Sequence, residues 1–80
     1  NVCVFGTTSS AAFFDNILKG KNKLFVDENC KYNNSKFRNK KILHPKELSK
    51  NHIVLLPFIN KNKLLLNRLN NKYKPKFIYI

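Results

Sequence analysis

The sequence is poor in acidic residues and in glycine, and it contains no long apolar run. Four Asp and Glu stand against 16 Lys and Arg, and only two glycines are present. The few acids form no carboxylate pair of the kind that acid–base catalysis uses. The apolar runs stay well short of the roughly 18–20 residues that a membrane-spanning helix needs. We therefore expect neither a membrane partner nor an acid–base active site in this chain.

Cysteine and histidine are equally sparse. No CxxC motif and no His–Cys cluster accompany Cys3 and Cys30, so the sequence offers no recognisable zinc site. Cys3 falls in an apolar run and Cys30 in a polar segment, and we expect the two thiols to remain unbonded. His44 and His52 have neither a nucleophile nor an orienting acid at a recognisable spacing. We expect no catalytic residue and no metal site.

An initiator methionine and a signal-peptide pattern are also missing, and the first residues already form a strand-like apolar run. The length suits one domain with one modest core. We therefore interpret residues 1–80 as a single domain taken from a longer, cytoplasmic protein.

The charge that is present is strongly one-sided. A formal net charge of +12 predicts attraction to polyanions. Most of it comes from Lys interleaved with Asn, a composition that A/T-rich coding also favours. Residues 31–41 interleave Tyr32 and Phe37 with cations, as a platform for single-stranded nucleic acid would. We favour the alternative, a solvated loop with two aromatic side chains at the edge of the core, and do not expect nucleic acid to be a partner.

Hydrophobic patterning predicts alternating strands and helices. Strands are expected at residues 2–5, 23–27, 41–43, 52–56 and 77–80. Helices are expected over residues 9–19 and from a cap at Asn60 to about residue 73, with a single helical turn after Pro45. In the first helix, Phe13, Phe14, Ile17 and Leu18 are expected to face the core, and Asp15 and Asn16 the solvent. Residues 28–41 show no periodicity and are predicted to form a loop.

This order of elements predicts an α/β fold, a small doubly wound, Rossmann-like parallel sheet with strand order 3-2-1-4-5. Ligands of such sheets bind beyond the carboxyl ends of the strands, where the strand order switches. Here the switch lies between the first and fourth strands. Residues 6–10 should therefore face residues 57–60 across the ligand position.

The segment Gly6-Thr7-Thr8-Ser9-Ser10 links the first strand to the first helix, as a phosphate-binding turn does. The three glycine positions of the GxGxxG fingerprint correspond to Gly6, Thr8 and Ala11. Gly6 suits the tight turn and Ala11 close packing, whereas the Cβ of Thr8 keeps a pyrophosphate farther from the backbone. Two interpretations stay open: a phosphate held by hydroxyls and helix amides, or simple helix capping. The serines lack the GxSxG elbow of a nucleophile.

Asp27 ends the second strand, about twenty residues beyond Gly6. In dinucleotide-binding folds an acid at this point accepts the ribose hydroxyls. An Asp in the same place can equally cap the turn that follows. Both interpretations stay open.

Four segments, Val2–Ala12, Leu24–Asp27, Ile42–Leu48 and His52–Phe58, share their pattern with a known module. They resemble a Rossmann-like domain that recurs in bacterial surface-polysaccharide and sugar-biosynthesis enzymes. The chain looks like the C-terminal domain of sugar C-methyltransferases and is similar to the N-terminal, nucleotide-sugar-binding domain of sugar acetyltransferases. The resemblance spans about residues 2–60.

The resemblance implies a non-catalytic domain that binds a nucleotide-sugar weakly or shapes the substrate site. A catalytic domain of the same chain would carry the transfer chemistry. The resemblance implies no cofactor in this domain and allows S-adenosylmethionine in the parent protein. The expected ligand contacts are Gly6, Thr7, Thr8, Ser9, Ser10, Asp27, Phe58 and Asn60. The alternatives are a basic RNA- or DNA-binding module and a purely structural packing domain.

Overall fold

The first strand of the chain lies in the middle of a six-stranded sheet. The computed structural model describes residues 1–29, 31, 35–58 and 61–79. Its strands are β1 Val2–Phe5, β2 Asn22–Val26, β3 Lys36–Phe37, β4 Lys40–Leu43, β5 Ile53–Leu56 and β6 Lys76–Tyr79. Its α-helices are α1 Ser9–Leu18 and α2 Lys63–Lys72, and a short 3-10 helix spans Pro45–Glu47.

The strands are arranged in the order β3-β4-β2-β1-β5-β6, and every neighbouring pair except β3–β4 is parallel. The five parallel strands therefore stand in the predicted order, and the α/β, Rossmann-like class is confirmed. Right-handed crossovers place α1 and α2 on opposite faces of such a sheet. The switch point lies between β1 and β5, as expected.

The prediction of a loop over residues 28–41 was wrong in its second half. β3 and β4 form an antiparallel hairpin. Its two turn residues, Arg38 and Asn39, have φ angles of 53° and 64°, in the left-handed region. Two-residue hairpin turns favour Asn-Gly or Asp-Gly, so Arg-Asn gave no indication of a turn. Cys30 and residues 32–34, including Tyr32, lie outside the described residues.

The sheet separates two apolar clusters, because successive strand residues point to opposite faces. On the α2 face, the largest fully buried side chains include Leu56, Leu69 and Phe77. On the α1 face, a smaller cluster contains Val4 and Phe25. The two faces are therefore unequally covered.

Cys3 is 1% exposed in β1, and its thiol is free. Burial raises the pKa of this thiol to about 11, because an apolar surrounding disfavours the thiolate. A protonated, buried thiol packs as a small apolar side chain. The expectation that Cys3 forms no disulfide is confirmed.

The buried side of α1 differs from the side that its aromatic residues predicted. Asp15 is 6% exposed, whereas Phe13 and Ile17 are 60% and 52% exposed. Positions 11, 15 and 18 share one face of a helix, since they are four and three residues apart. The predicted orientation was therefore wrong for Phe13, Asp15 and Ile17. The half-buried Phe14 and Leu18 agree with it.

An ion-pair cluster explains why Asp15 is buried. Its carboxylate accepts hydrogen bonds from Arg38 Nε at 2.9 Å, Lys40 Nζ at 2.5 Å and Asn22 Nδ2 at 3.0 Å. Burial by itself would raise the pKa of Asp15, but these bonds outweigh it and hold the pKa below its ordinary value. Asp15 thereby joins α1 to the start of β2 and to the β3–β4 hairpin.

Asn62 caps α2. Its side-chain oxygen accepts hydrogen bonds from the amides of Leu64 and Leu65, at 3.0 Å and 3.2 Å. The helix therefore begins at Lys63, later than the expected start, and Asn60, the predicted cap, lies outside the described residues. Neither described helix is long and apolar enough to cross a membrane.

The edge strand β6 is tied to α2 through a side-chain amide. Asn70 Oδ1 accepts a hydrogen bond from Phe77 N at 2.8 Å, and Asn70 Nδ2 donates to Phe77 O at 3.0 Å. An edge strand has a row of backbone groups that face no neighbouring strand. Asn70 satisfies one pair of these groups as a further strand would.

Replacing Asn70 with Ala removes both hydrogen bonds, and we expect a loss of roughly 1–2 kcal/mol in the free energy of unfolding. Urea denaturation followed by circular dichroism measures the change. The matched control is Asn71→Ala, at an exposed position on the same helix. We expect it to change stability by less than about 0.5 kcal/mol. Equal losses in the two variants would contradict this role of Asn70.

Candidate functional site at the carboxyl edge of the sheet

The turn after β1 is open above its backbone. Gly6 has a φ of 94°, a conformation that L side chains rarely adopt. A Cβ built there would meet no atom of the described residues within 4 Å. Its amide donates a hydrogen bond to Val26 O at 2.6 Å, which anchors the turn to the end of β2. A ligand can therefore approach this backbone closely without displacing a side chain.

The turn leads directly into the N-terminus of α1. Thr8 is the N-cap, with extended backbone angles, and its carbonyl accepts the hydrogen bond of Ala12 N at 3.1 Å. Within the described residues its side chain makes no capping hydrogen bond, and the first turn carries no acid. Amides of a first helical turn have no partner inside the helix. The helix therefore has no acidic side chain of its own first turn at the positive end of its dipole.

Asp27 stands beside this turn, because β1 and β2 end at the same edge of the sheet. Thr7 Oγ1 donates a long hydrogen bond to Asp27 Oδ2 at 3.4 Å. The other carboxylate oxygen, Oδ1, accepts from Asn29 N at 2.8 Å. The turn-capping interpretation of Asp27 is thus confirmed for Oδ1. Within the part of the chain that the structure describes, Oδ2 has only the long contact to Thr7, and it lies close to the Gly6 turn.

A cleft of 340 Å³ opens next to the helix start. It is lined by Ser9, Ser10, Phe13, Phe14 and Pro57. Pro57 follows β5, so the cleft spans the switch point between β1 and β5 at which the sequence placed a ligand. The two phenylalanines were not among the predicted ligand contacts, because both had been assigned to the core.

Phe58 lies elsewhere. Its ring packs edge to face on Phe5, with 6.1 Å between the ring centroids. Both side chains border the cluster on the α2 face of the sheet, whereas the cleft adjoins α1. Asn60 and Ile59 lie outside the described residues. Of the predicted contacts, the structure thus groups residues 6–10 with Asp27 and places Phe58 on the opposite face.

Glu28, the residue after Asp27, belongs to a separate polar cluster. Arg68 Nη1 and Nη2 bind its two carboxylate oxygens at 2.9 Å and 2.8 Å, and Tyr73 OH donates to Oε2 at 2.7 Å. The bond from Arg68, helped by that from Tyr73, lowers the pKa of Glu28 from 4.5 to about 2. Glu28 is therefore a fixed anion that fastens the end of β2 to α2.

Both histidines have structural contacts. His44 Nδ1 accepts a hydrogen bond from Lys46 N at 3.1 Å, and its ring packs edge to face on Tyr73. His52 Nδ1 accepts from Ser49 N at 3.2 Å. Among residues 1–29, 31, 35–58 and 61–79, no group of three or more His, Cys, Asp and Glu could hold a metal ion.

The basic segment around the hairpin is partly engaged inside the domain. Arg38 and Lys40 bind Asp15, and Arg38 also donates to Asn16. The ring of Phe37 packs edge to face on Phe25, with centroids 4.8 Å apart. The expectation that this aromatic side chain packs at the edge of the core is confirmed.

A second, larger cleft of 650 Å³ lies at the other edge of the sheet. Its cations are Lys46, Lys50 and Lys74, and the last two precede the amino ends of β5 and β6.

Searches of protein-family models, curated proteins and solved structures find no match to this chain. The geometry at the carboxyl edge is therefore the main basis for a functional hypothesis.

The pKa of Glu28 provides a test of the cluster beside the site. In Arg68→Gln we expect this pKa to rise from about 2 toward 4.5, because the main hydrogen bond that stabilises the carboxylate is lost. Carbon-detected NMR titration of the carboxyl group measures the shift. Lys72→Gln should change it less, since Lys72 acts only through space and is the last contributor.

The same shift predicts how stability depends on pH. A depressed folded-state pKa means that the unfolded chain binds a proton first. The contribution of Glu28 is therefore complete above pH 4.5 and is lost as the pH falls toward about 2. Arg68→Gln should reduce this part of the acid dependence. A Glu28 that still titrates near 2 in Arg68→Gln would contradict the assignment.

Proposed function

We propose that this domain binds the diphosphate of a nucleotide-sugar at the carboxyl edge of its sheet and is itself non-catalytic. The observation that carries the proposal is the open Gly6 turn, which leads into the N-terminus of α1 with Asp27 beside it. Helix N-termini of this kind favour phosphate, since both the free N–H groups and the dipole attract negative charge.

The positions of the polar groups suggest how the ligand would lie. Phosphate oxygens would accept hydrogen bonds from the amides of Ser9 and Ser10 and from the neighbouring hydroxyls. The ribose would lie toward Asp27. Its Oδ2 has a 3.4 Å contact to Thr7 and can accept a hydrogen bond from a ribose hydroxyl. The apolar cleft lined by Phe13, Phe14 and Pro57 adjoins the same turn and offers a surface to the uncharged part of the ligand.

The wider assignment rests on the resemblance to Rossmann-like domains of bacterial sugar-biosynthesis enzymes. On that basis the domain serves a cytoplasmic sugar-modifying transferase of surface-polysaccharide synthesis. A catalytic domain of the same chain would supply the transfer chemistry, and S-adenosylmethionine would bind there if the group transferred is methyl.

The alternative of a basic nucleic-acid-binding module has less support. A single-strand platform needs free aromatic faces between free cations. Phe37 is packed on Phe25, and Arg38 and Lys40 are paired with Asp15. These contacts leave fewer groups for phosphate and base stacking than the sequence of residues 31–41 indicates.

The proposal is tested by NMR chemical-shift mapping with uridine, thymidine, guanosine and cytidine diphospho-sugars at physiological salt. We expect at least one to shift the amides of Gly6, Thr8, Ser9 and Asp27, with roughly millimolar affinity. Ser9→Glu should weaken this binding at least tenfold, because a carboxylate would occupy the anion position. The same change should not destabilise the fold, since an acid suits the first turn of a helix.

Asn67→Glu, an exposed change on α2, adds the same charge away from the turn and should leave the affinity within about twofold. If every nucleotide-sugar perturbs only lysine-rich segments, and 0.5 M salt abolishes the shifts, the contact is general charge attraction. That result would overturn the proposed site.

A further inference from the structure

The α1 face of the sheet is covered over only part of its width. Val54, Leu56 and Phe77 point to the α2 face, so the residues that alternate with them along β5 and β6 point to the α1 face. Among these, Ile53 is 38% exposed, and Leu55 and Ile78 are half-buried. Parallel sheets are normally covered by helices on both faces, so a covering layer over β5 and β6 is missing from the described chain.

The exposed side of α1 continues this surface. Phe14 and Ser10 line the cleft with Pro57, on the side of α1 that faces β5. Phe13 and Ile17 are exposed on the same side, since positions 10, 13, 14 and 17 share a helix face. The opposite side of α1 contacts the hairpin through Asn16 and Arg38. A groove thus forms between α1 as its wall and β5–β6 as its floor.

The dimensions of this groove fit one α-helix. Two strands spaced at about 4.8 Å give a floor about 10 Å wide, and an α-helix with its side chains is about 10–12 Å across. Strands β5 and β6 have four residues each, so the floor is about 13 Å long. That length corresponds to roughly nine helical residues. A strand could not fill the groove, because it would leave its own backbone groups unpaired.

The charge around the groove indicates the kind of helix. Lys76 stands on the floor strand β6 opposite Ile53, and Lys19 and Lys21 follow the C-terminal end of α1. Within the described residues none of these three lysines forms an ion pair, while Asp15 and Glu28 are both neutralised by cations of the domain. Carboxylates of a partner protein could therefore form ion pairs with these lysines.

We propose that this groove is the docking surface for an acidic, amphipathic α-helix of a protein partner. This surface adjoins the proposed ligand site and shares Phe13 and Phe14 with its cleft, but it extends beyond that site across the β5–β6 floor. The apolar stripe of the helix would cover Phe13, Ile17, Leu55 and Ile78. Its flanking Glu or Asp would pair with Lys76 on the floor and with the lysines that follow α1. A second copy of the chain is disfavoured as the occupant, because each copy has a formal net charge of +12.

The test uses two synthetic helical peptides of fourteen residues that share one leucine stripe, with flanking positions Glu in one and Lys in the other. NMR mapping on the 80-residue chain should show the Glu peptide shifting Phe13, Ile17, Leu55 and Ile78. The Lys peptide should bind at least tenfold more weakly. Phe13→Ser should lower the affinity for the Glu peptide at least fivefold.

Leu64→Ser is the matched control, because Leu64 is 82% exposed on α2, the helix of the other face. It should leave the affinity within about twofold. Both serine variants change exposed side chains. Amide spectra that are unchanged away from the substituted residue would verify that each variant is folded. Absence of binding, equal binding of the two peptides, or an equal loss in Leu64→Ser would overturn the proposal. Sedimentation showing a dimer whose interface maps to the groove would also overturn it.

Discussion

The arrangement of this domain depends on the ion pairs of one buried carboxylate, that of Asp15. An unpaired charge is costly to bury, and Asp15 is enclosed when α1 packs on the sheet. Arg38 and Lys40 must therefore stay beside it. This requirement sets the rotation of α1 about its axis and docks the β3–β4 hairpin against the edge of the parallel sheet. Removing one partner of such a cluster lowers stability strongly, because it leaves a buried charge without its counter-charge. Replacing the whole cluster by apolar residues of similar volume is often nearly neutral.

The same rotation determines what the other side of α1 presents. With Asp15 turned toward the hairpin, Phe13 and Ile17 face away from the core and toward the uncovered part of the sheet. The polar anchor on one side of the helix and the apolar groove on the other are thus two consequences of one contact. The start of α1 is held independently, by the bond from Gly6 N to Val26 O, and the candidate ligand site depends on that turn.

Much of the site could be predicted because parallel strands end at a common edge. The hydroxyls after β1 and Asp27 after β2 were expected to meet, and Thr7 and Asp27 do. Phe58 could not be assigned to a face from its position after β5, because a residue beyond a strand no longer follows the alternation. The cleft residues Phe13 and Phe14 were missed because large apolar side chains are usually core. Here Asp15, the acid that follows them, is anchored by its ion pairs and places them beside the cleft.

The sequence by itself determined the order and direction of the five parallel strands, because continuous apolar runs separated by helix-length segments allow few other topologies. It also determined that Gly6 would turn the chain at the switch point. Only the tertiary structure decided which face of α1 is buried and that residues 36–43 form a hairpin. Both depend on a charge cluster that joins positions 15, 22, 38 and 40, and contacts between residues so far apart in the chain leave no periodicity to detect.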